Sequence, residues 1–293
     1  MIKGKILLAT DFSEAAKKLT ETLKDLKNMG FEEVLLVHVV DIYNQGLKTD
    51  EVVKKVKNRL RKIKQEIEDE IGMKTIIKVP VGLPADQIYE ISNRTDVSMI
   101  LMAAHGTGYL KQLFLGSTTH NVIRRVRKPV LVEKFEEVNG EYHLVCNRKF
   151  KRIMVPVDFS EATGEVLNLV KEICTPVQEI ILVSIIEKSS SLEELEARKN
   201  EAQEKLARIK NSFEQNNINC TVKVRIGEGV ASSNIIRIAT EEEAGIIIMS
   251  TRGKGRIKNL LLGSTASRVI RHSPIPVLLV PYQFSPAREL ISD

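Results

Sequence analysis

Short apolar runs alternate with amphipathic stretches from one end of the chain to the other. In the first half the runs are Lys5–Thr10, Glu33–Val40, Thr75–Val81, Val97–Ala104 and Pro129–Glu133. In the second they are Arg152–Val157, Glu179–Ile186, Cys220–Ile226, Ala244–Ser250 and Pro276–Val280. They are continuously apolar and rich in Ile, Val and Leu, as strands buried on both faces are. The stretches between them have helical spacing. One of them, "EVVKKVKNRLRKIKQEIEDEIG", alternates Lys and Glu as a solvated face with i,i+4 pairs does. Strands separated by helices predict an α/β fold with parallel sheets and right-handed crossovers. Ser191 and Glu194 have the spacing of a capping box at the start of the long helix of the second half. Pro129 and Pro276 open their strands, a position proline tolerates, often on a sheet edge. Two such edges in one chain predict that the halves dock there as a pseudo-two-fold pair.

The pattern is also a repeat. "KILLATDFSEA" at Lys5–Ala15 returns as "RIMVPVDFSEA" at Arg152–Ala162, and "LFLGSTTHNVIRR" at Leu113–Arg125 returns as "LLLGSTASRVIRH" at Leu260–His272. Asp11 to Asp158 and Gly116 to Gly263 are each displaced by 147 positions (158 − 11 and 263 − 116). Solenoid repeats have periods of roughly 20–50 residues, so each copy here is a whole domain. The expected layout is a domain over 1–135, a linker over 136–150 with a turn signal at Asn139-Gly140, a domain over 151–285, and a tail over 286–293.

Composition narrows the function. Among 293 residues, 44 are Lys or Arg and 38 are Asp or Glu, a net charge of +6. That excess is modest and interleaved with acids, which argues against a nucleic-acid partner. Aromatics are 4% and Trp is absent, so stacking platforms for single strands are not expected either. No apolar run approaches the roughly 20 residues of a membrane span, and no signal-peptide pattern precedes the first strand. Cys146, Cys174 and Cys220 are scattered, which implies no disulfide framework and makes the cytoplasm the expected compartment. His38, His120, His143 and His272 have no metal-ligand spacing.

The candidate chemistry follows the fourth strand of each half. The first half reads Ala103-Ala104-His105-Gly106-Thr107-Gly108, then Gly116-Ser117-Thr118. The second reads Ser250-Thr251-Arg252-Gly253-Lys254-Gly255, then Gly263-Ser264-Thr265. A glycine loop after a strand lets backbone approach a ligand. The helix that follows offers free N–H groups and a positive dipole end to phosphate, and Ser117 and Ser264 add hydroxyls. Arg252 is placed to donate to a phosphate. The plainer alternative is that the glycines only turn the chain and the serines only cap. Asp11 and Asp158 end the first strand of each half in "DFSEA". They fit a capping box with Glu14 and Glu161, or a carboxylate at the carboxyl edge of the sheet, where ligands of open α/β sheets lie. No catalytic residue is apparent: His105 has no carboxylate or nucleophile beside it in the motif.

At these residues the chain resembles the universal stress protein family. The resemblance is carried by "DFSEA", "VLLVHVVD" and "HGTGYLKQLFLGSTTHNVIRR…KPVLV" with its second copy, and it covers nearly the whole chain outside the linker. It implies two tandem Rossmann-like domains of the adenine nucleotide alpha hydrolase-like kind. Each would be a five-stranded parallel sheet of order 3-2-1-4-5, with pairing through the fifth strands, and a homodimer of tandem chains is a further expectation. It implies binding of ATP, ADP or AMP, with Mg as a companion ion. Adenine would lie against backbone at Val39 and Ile185, ribose near Asp11 and Asp158. The phosphates would lie on Gly106, Gly116, Ser117 and Thr118 in one half and on Gly253, Gly263, Ser264 and Thr265 in the other. The first glycine of the family's ATP-binding pattern is Ala103 in one half and Ser250 in the other, a departure expected to alter binding rather than abolish it. The second half is expected to bind at least as well, because Arg252, Lys254, Arg256 and Lys258 surround its loop against His105 and Lys111 in the first. The competing functions are a partner-binding regulator that has lost its ligand and a slow ATPase.

Overall fold

In a computed structural model of the chain, the apolar runs become strands; the inner strands bury side chains on both faces, whereas Lys74–Lys78 and Thr221–Glu228, at the outer end of each unit's strand order, alternate buried with more exposed positions. The structure describes residues 4–41, 49–104, 115–173, 177–187, 189–215, 221–253 and 262–282. Two units separate between Asn147 and Arg148. The expected positions His105, Gly106, Lys111, Lys254, Arg256 and Lys258 lie outside the described residues.

The first unit runs β1 (Gly4–Ala9), α1 (Glu14–Asn28), β2 (Phe31–Val37), α2 (Thr49–Glu66), β3 (Lys74–Lys78), α3 (Pro84–Arg94), β4 (Val97–Ala103), α4 (Ser117–Ile123) and β5 (Val130–Glu133). Its sheet is parallel, with spatial order β5-β4-β1-β2-β3. The second unit runs β8 (Arg152–Pro156), α5 (Glu161–Glu172), β9 (Glu179–Ile186), α6 (Leu192–Gln215), β10 (Thr221–Glu228), α7 (Ala231–Glu241), β11 (Ile246–Ser250), α8 (Ser264–His272) and β12 (Val277–Val280). Its parallel sheet has the spatial order β10-β9-β8-β11-β12. Each unit therefore has the doubly wound order 3-2-1-4-5. The order reverses between β1 and β4, and again between β8 and β11. Crevices at such switch points, beyond the carboxyl ends of the strands, are where open α/β sheets bind ligands.

The core is the two-sided burial that the runs predict. Ile6 and Leu7 in β1, Ile100 and Leu101 in β4, and Ile246, Ile247 and Ile248 in β11 are all 0% exposed. The helices present one apolar face to these sheets: α1 buries Ala15, Ala16, Leu19, Leu23 and Leu26 at helical spacing.

The starts of α1 and α5 correct one expectation. Asp11 and Asp158 are not the caps. The Ser13 hydroxyl accepts the N–H of Ala16 at 3.1 Å, and the Ser160 hydroxyl accepts that of Thr163 at 3.3 Å, so the serines are the N-caps. Glu14 and Glu161 then fall at the first helical position, too early for a capping box. At Ser191 only one half of the expected box forms, and the reciprocal bond falls one residue early, on Ser190. The Ser191 hydroxyl accepts the N–H of Glu194 at 3.1 Å, and the Glu194 carboxylate reaches back to the N–H of Ser190 at 2.7 Å.

The expected linker contains a structured hairpin. β6 (Phe135–Val138) pairs antiparallel with β7 (Glu141–Leu144). The turn is Asn139-Gly140, with φ of 54° and 84°. Two consecutive positive φ values are what a tight hairpin turn requires, and Asn-Gly supplies them at least cost.

One set of ion pairs ties the amino ends of the strands together. Lys5 meets Asp96 at 2.7 Å and Glu33 at 3.3 Å, and Lys74 meets Glu33 at 2.7 Å. In the second unit Arg152 and Lys223 share Glu179 at 2.5 and 2.7 Å. Among the described residues no helix is long and apolar enough to cross a membrane.

Candidate functional site

The second unit holds a cavity of ≈ 950 Å³ at the carboxyl ends of β8, β9 and β11. Its apolar walls include Val157, Val183, Ala202, Ile235 and Met249, and its polar groups converge from separate elements, as ligand sites require. The residues expected from the sequence meet here. Asp158, Ile185, Ser250, Arg252, Gly253, Gly263, Ser264 and Thr265 all line this one cavity.

Asp158 is fixed by the turn that follows it. Phe159 takes φ 61°, a left-handed conformation that a bulky residue adopts only under constraint. That turn brings Ser160 back beneath the aspartate. Oδ1 accepts the Ser160 N–H at 3.0 Å, the Ser160 hydroxyl at 2.6 Å and the Thr163 hydroxyl at 2.5 Å. Phe12 repeats the conformation at φ 63°, and Asp11 Oδ1 accepts the Ser13 N–H at 2.9 Å.

The glycine loop begins where β11 ends. The N–H of Thr251 bonds Val280 in β12 at 2.9 Å, and the N–H of Gly263 bonds the Thr251 carbonyl at 2.7 Å. The loop is thereby closed at its base, and α8 starts beside the end of β11. The Ser250 hydroxyl accepts the N–H of Arg252 at 3.2 Å, so the serine that replaces the expected glycine shapes the loop. The N-cap of α8 is Gly263, which has no side chain to cap the first turn, and such a turn offers its N–H groups to a ligand or water. Ile185 lines the cavity and leans over Gly227, where an added Cβ would stand 2.7 Å from its Cδ1.

The same bond closes the loop of the first unit, from the N–H of Gly116 to the Ala104 carbonyl at 2.7 Å. Ser117 and Thr118 open α4, and the Thr119 hydroxyl donates to the Ala103 carbonyl at 2.9 Å, an anchor with no counterpart at Ala266. Val39 follows β2, beside Val40, which bridges Val81. His38 accompanies it: Nδ1 lies 2.8 Å from the Thr10 carbonyl, and the ring stacks on Phe12 with centroids 4.3 Å apart. The Arg59 guanidinium covers the other part of that stack, 3.9 Å from the Phe12 centroid. Burial pushes the His38 pKa down, against the smaller raising effects of the Thr10 carbonyl and Asp11.

Several cavity residues were not legible as site residues. Arg198, Glu201 and Lys205 come from the long polar helix α6, which reads as solvated. Lys205 stands 5.4 Å from the Phe159 ring, at the place where Arg59 covers Phe12. Glu187 lines the cavity and accepts the N–H of Ala231 at 3.2 Å, at the start of α7.

Comparison with known proteins agrees with this architecture. The model of the universal stress protein family matches residues 3–134 and again 149–281. A universal stress protein of Methanocaldococcus jannaschii is 35% identical over 154 residues, which is 44% of this chain and 94% of that protein. One from Synechocystis is 22% identical over 278 residues, covering 94% of this chain and 88% of the relative. Among solved structures, a universal stress protein from Archaeoglobus fulgidus superposes with a TM-score of 0.74 at 28% identity, covering 94% of this chain and 97% of its own.

Proposed function

The chain belongs to the universal stress protein family, matched once in each half, and on that premise we propose that the cavity of the second unit binds an adenine nucleotide. One observation carries this: eight residues selected from separate segments of the sequence line a single cavity at the switch point of the sheet. A cavity of ≈ 950 Å³ is at the upper end of the range for small-ligand sites and is ample for a nucleotide. The residues divide by chemistry. Gly253, Gly263 and the uncapped first turn of α8 suit phosphate. Asp158 suits ribose hydroxyls. The main chain at Ile185 suits the adenine edge. Magnesium would accompany the phosphates, since it favours phosphate oxygens plus one or two carboxylates; Asp158 and Glu187 are carboxylates lining the same cavity that could serve it. The first unit, with Asp11, Val39, Ala103, Gly116, Ser117 and Thr118, is the second candidate site, and Gly106 would complete it.

The test is direct. The chain is purified without added nucleotide, unfolded, and the released small molecules are identified by mass spectrometry. An adenine nucleotide in stoichiometry approaching one per chain is the expected result. Protein that releases none, and that also takes up none when ATP is supplied, contradicts the proposal.

A further inference from the structure

Tyr282 lies just past the last strand and does not line the cavity, yet it touches both loops that do. Its hydroxyl donates to Glu161 Oε2 at 2.9 Å. Glu161 is the first residue of α5, three positions after Asp158. Its ring lies beneath Arg252, whose Cζ is 5.7 Å from the ring centroid, within the range of a cation–π contact. Arg252 stands between Thr251 and Gly253, all three lining the cavity. A single aromatic side chain thus links the aspartate loop to the glycine loop and gives a long, flexible cation one place to rest. Glu161 and Glu165 both face the Tyr282 hydroxyl and hold its pKa above the ordinary value, with the Glu161 hydrogen bond the largest cause.

Among the described residues, the first unit has no such arrangement. The position displaced by 147 from Tyr282 is Phe135, which has no hydroxyl, is buried, and begins β6. Glu14, which matches Glu161, pairs with Lys17 at 2.5 Å instead.

We propose that Tyr282 is a positioning residue that holds the Arg252 guanidinium at the phosphate side of the cavity, so that the second site discriminates nucleotides by their number of phosphates. This presupposes the adenine nucleotide proposed above. Backbone N–H groups at Ser264 and Thr265, in the first turn of α8, serve the phosphates nearest the ribose. A guanidinium on the lip meets the distal ones, which AMP does not have, and a fixed cation contributes more than one that must be ordered on binding.

Calorimetric titration of the full chain with ATP, ADP and AMP at one ionic strength tests this, using Tyr282→Ala, Tyr282→Phe, Arg252→Ala and the Arg252→Ala/Tyr282→Ala double variant. Tyr282→Ala should weaken ATP roughly fivefold, the scale of one exposed cation–π contact, and leave AMP within about twofold. Tyr282→Phe keeps the ring and should keep most of the ATP affinity. The double variant should bind ATP no more weakly than Arg252→Ala alone. Equal losses for ATP and AMP in Tyr282→Ala would show a merely structural role and overturn the proposal, as would a further loss in the double variant. Wild-type protein that binds no adenine nucleotide sinks the function itself and the clamp with it. Wild-type binding that Tyr282→Ala leaves unchanged sinks the clamp alone.

Discussion

Asp158 and Gly253 face each other so closely that a Cβ built on the glycine stands 2.6 Å from the Asp158 Oδ2 oxygen. The glycine is therefore needed for space, since its φ is not in the left-handed region. The contact joins the loop after β8 to the loop after β11, the two strands between which the sheet order reverses. Oδ1 is occupied by Ser160 and Thr163, so Oδ2 is the oxygen turned toward the glycine loop.

Gly253→Ala should therefore destabilise the second unit by about 1–3 kcal/mol, the usual range for overpacking. Removing the oxygen should relieve it: in an Asp158→Ala background the added methyl should cost much less. A denaturant double-mutant cycle measures the coupling. Additive losses would show that the two residues do not oppose each other.

His38 is held with its pKa below the ordinary 6.5 by burial against Phe12, with the Arg59 charge a smaller lowering cause. A depressed folded-state pKa means that the folded protein resists protonation. Its contribution to stability is complete above 6.5 and is lost as the pH falls from there through the folded-state value. Wild-type protein should lose urea stability between pH 7 and pH 5 more steeply than His38→Asn. Identical pH slopes for the two proteins would contradict this.

Lys134 is 3% exposed, and burial lowers its pKa from 10.5 to about 8. The folded state favours the neutral amine, so stability is highest above 10.5 and declines as the pH falls toward about 8. The full difference corresponds to about 3 kcal/mol. Lys134→Met removes the titration. Its stability relative to wild type should rise between pH 10 and pH 7, measured by denaturant midpoints. A constant difference across that range would show that the amine is not desolvated.

The fold was legible because the inner strands of a doubly wound sheet are buried on both faces and so appear as unbroken apolar runs; β3 and β10, at the outer ends, alternate instead. The displacement of 147 residues then marked two copies. The hairpin at Phe135–Leu144 was not legible beyond its turn, since four-residue strands such as "FEEV" and "EYHL" carry too little periodicity to separate from a linker. At the site, glycines and hydroxyls stood out because phosphate recognition uses a small set of residue types. The cap is Ser160 and not Asp158, because "DFSEA" offers two capping residues and only the φ of Phe159 decides between them. Lys205 and Tyr282 matter through distance across the fold, which no local pattern in the sequence encodes.

The proposed site carries a prediction about the base. Main-chain N–H and C=O groups at Ile185 would match the donor and acceptor edge of adenine, and guanine reverses that edge. ATP should bind at least tenfold more tightly than GTP, a difference of about 1.4 kcal/mol. Equal affinities in a competition titration would exclude the Ile185 main chain as the base contact.

The central claim is that the second unit binds an adenine nucleotide on its glycine loop. Among the described residues, a Cβ at Gly263 would touch only the Thr251 carbonyl, at 3.4 Å, and the Arg252 Cα, at 3.9 Å, so a larger side chain there intrudes on the site at ordinary contact distance from its described neighbours. The most direct measurement is calorimetric titration of nucleotide-free chain with ATP in wild type, Gly263→Val and Gly116→Val. Saturable binding in wild type that Gly263→Val weakens tenfold or more, and that Gly116→Val weakens less, is the predicted result. Binding that Gly263→Val leaves unchanged, or that only Gly116→Val removes, would contradict it.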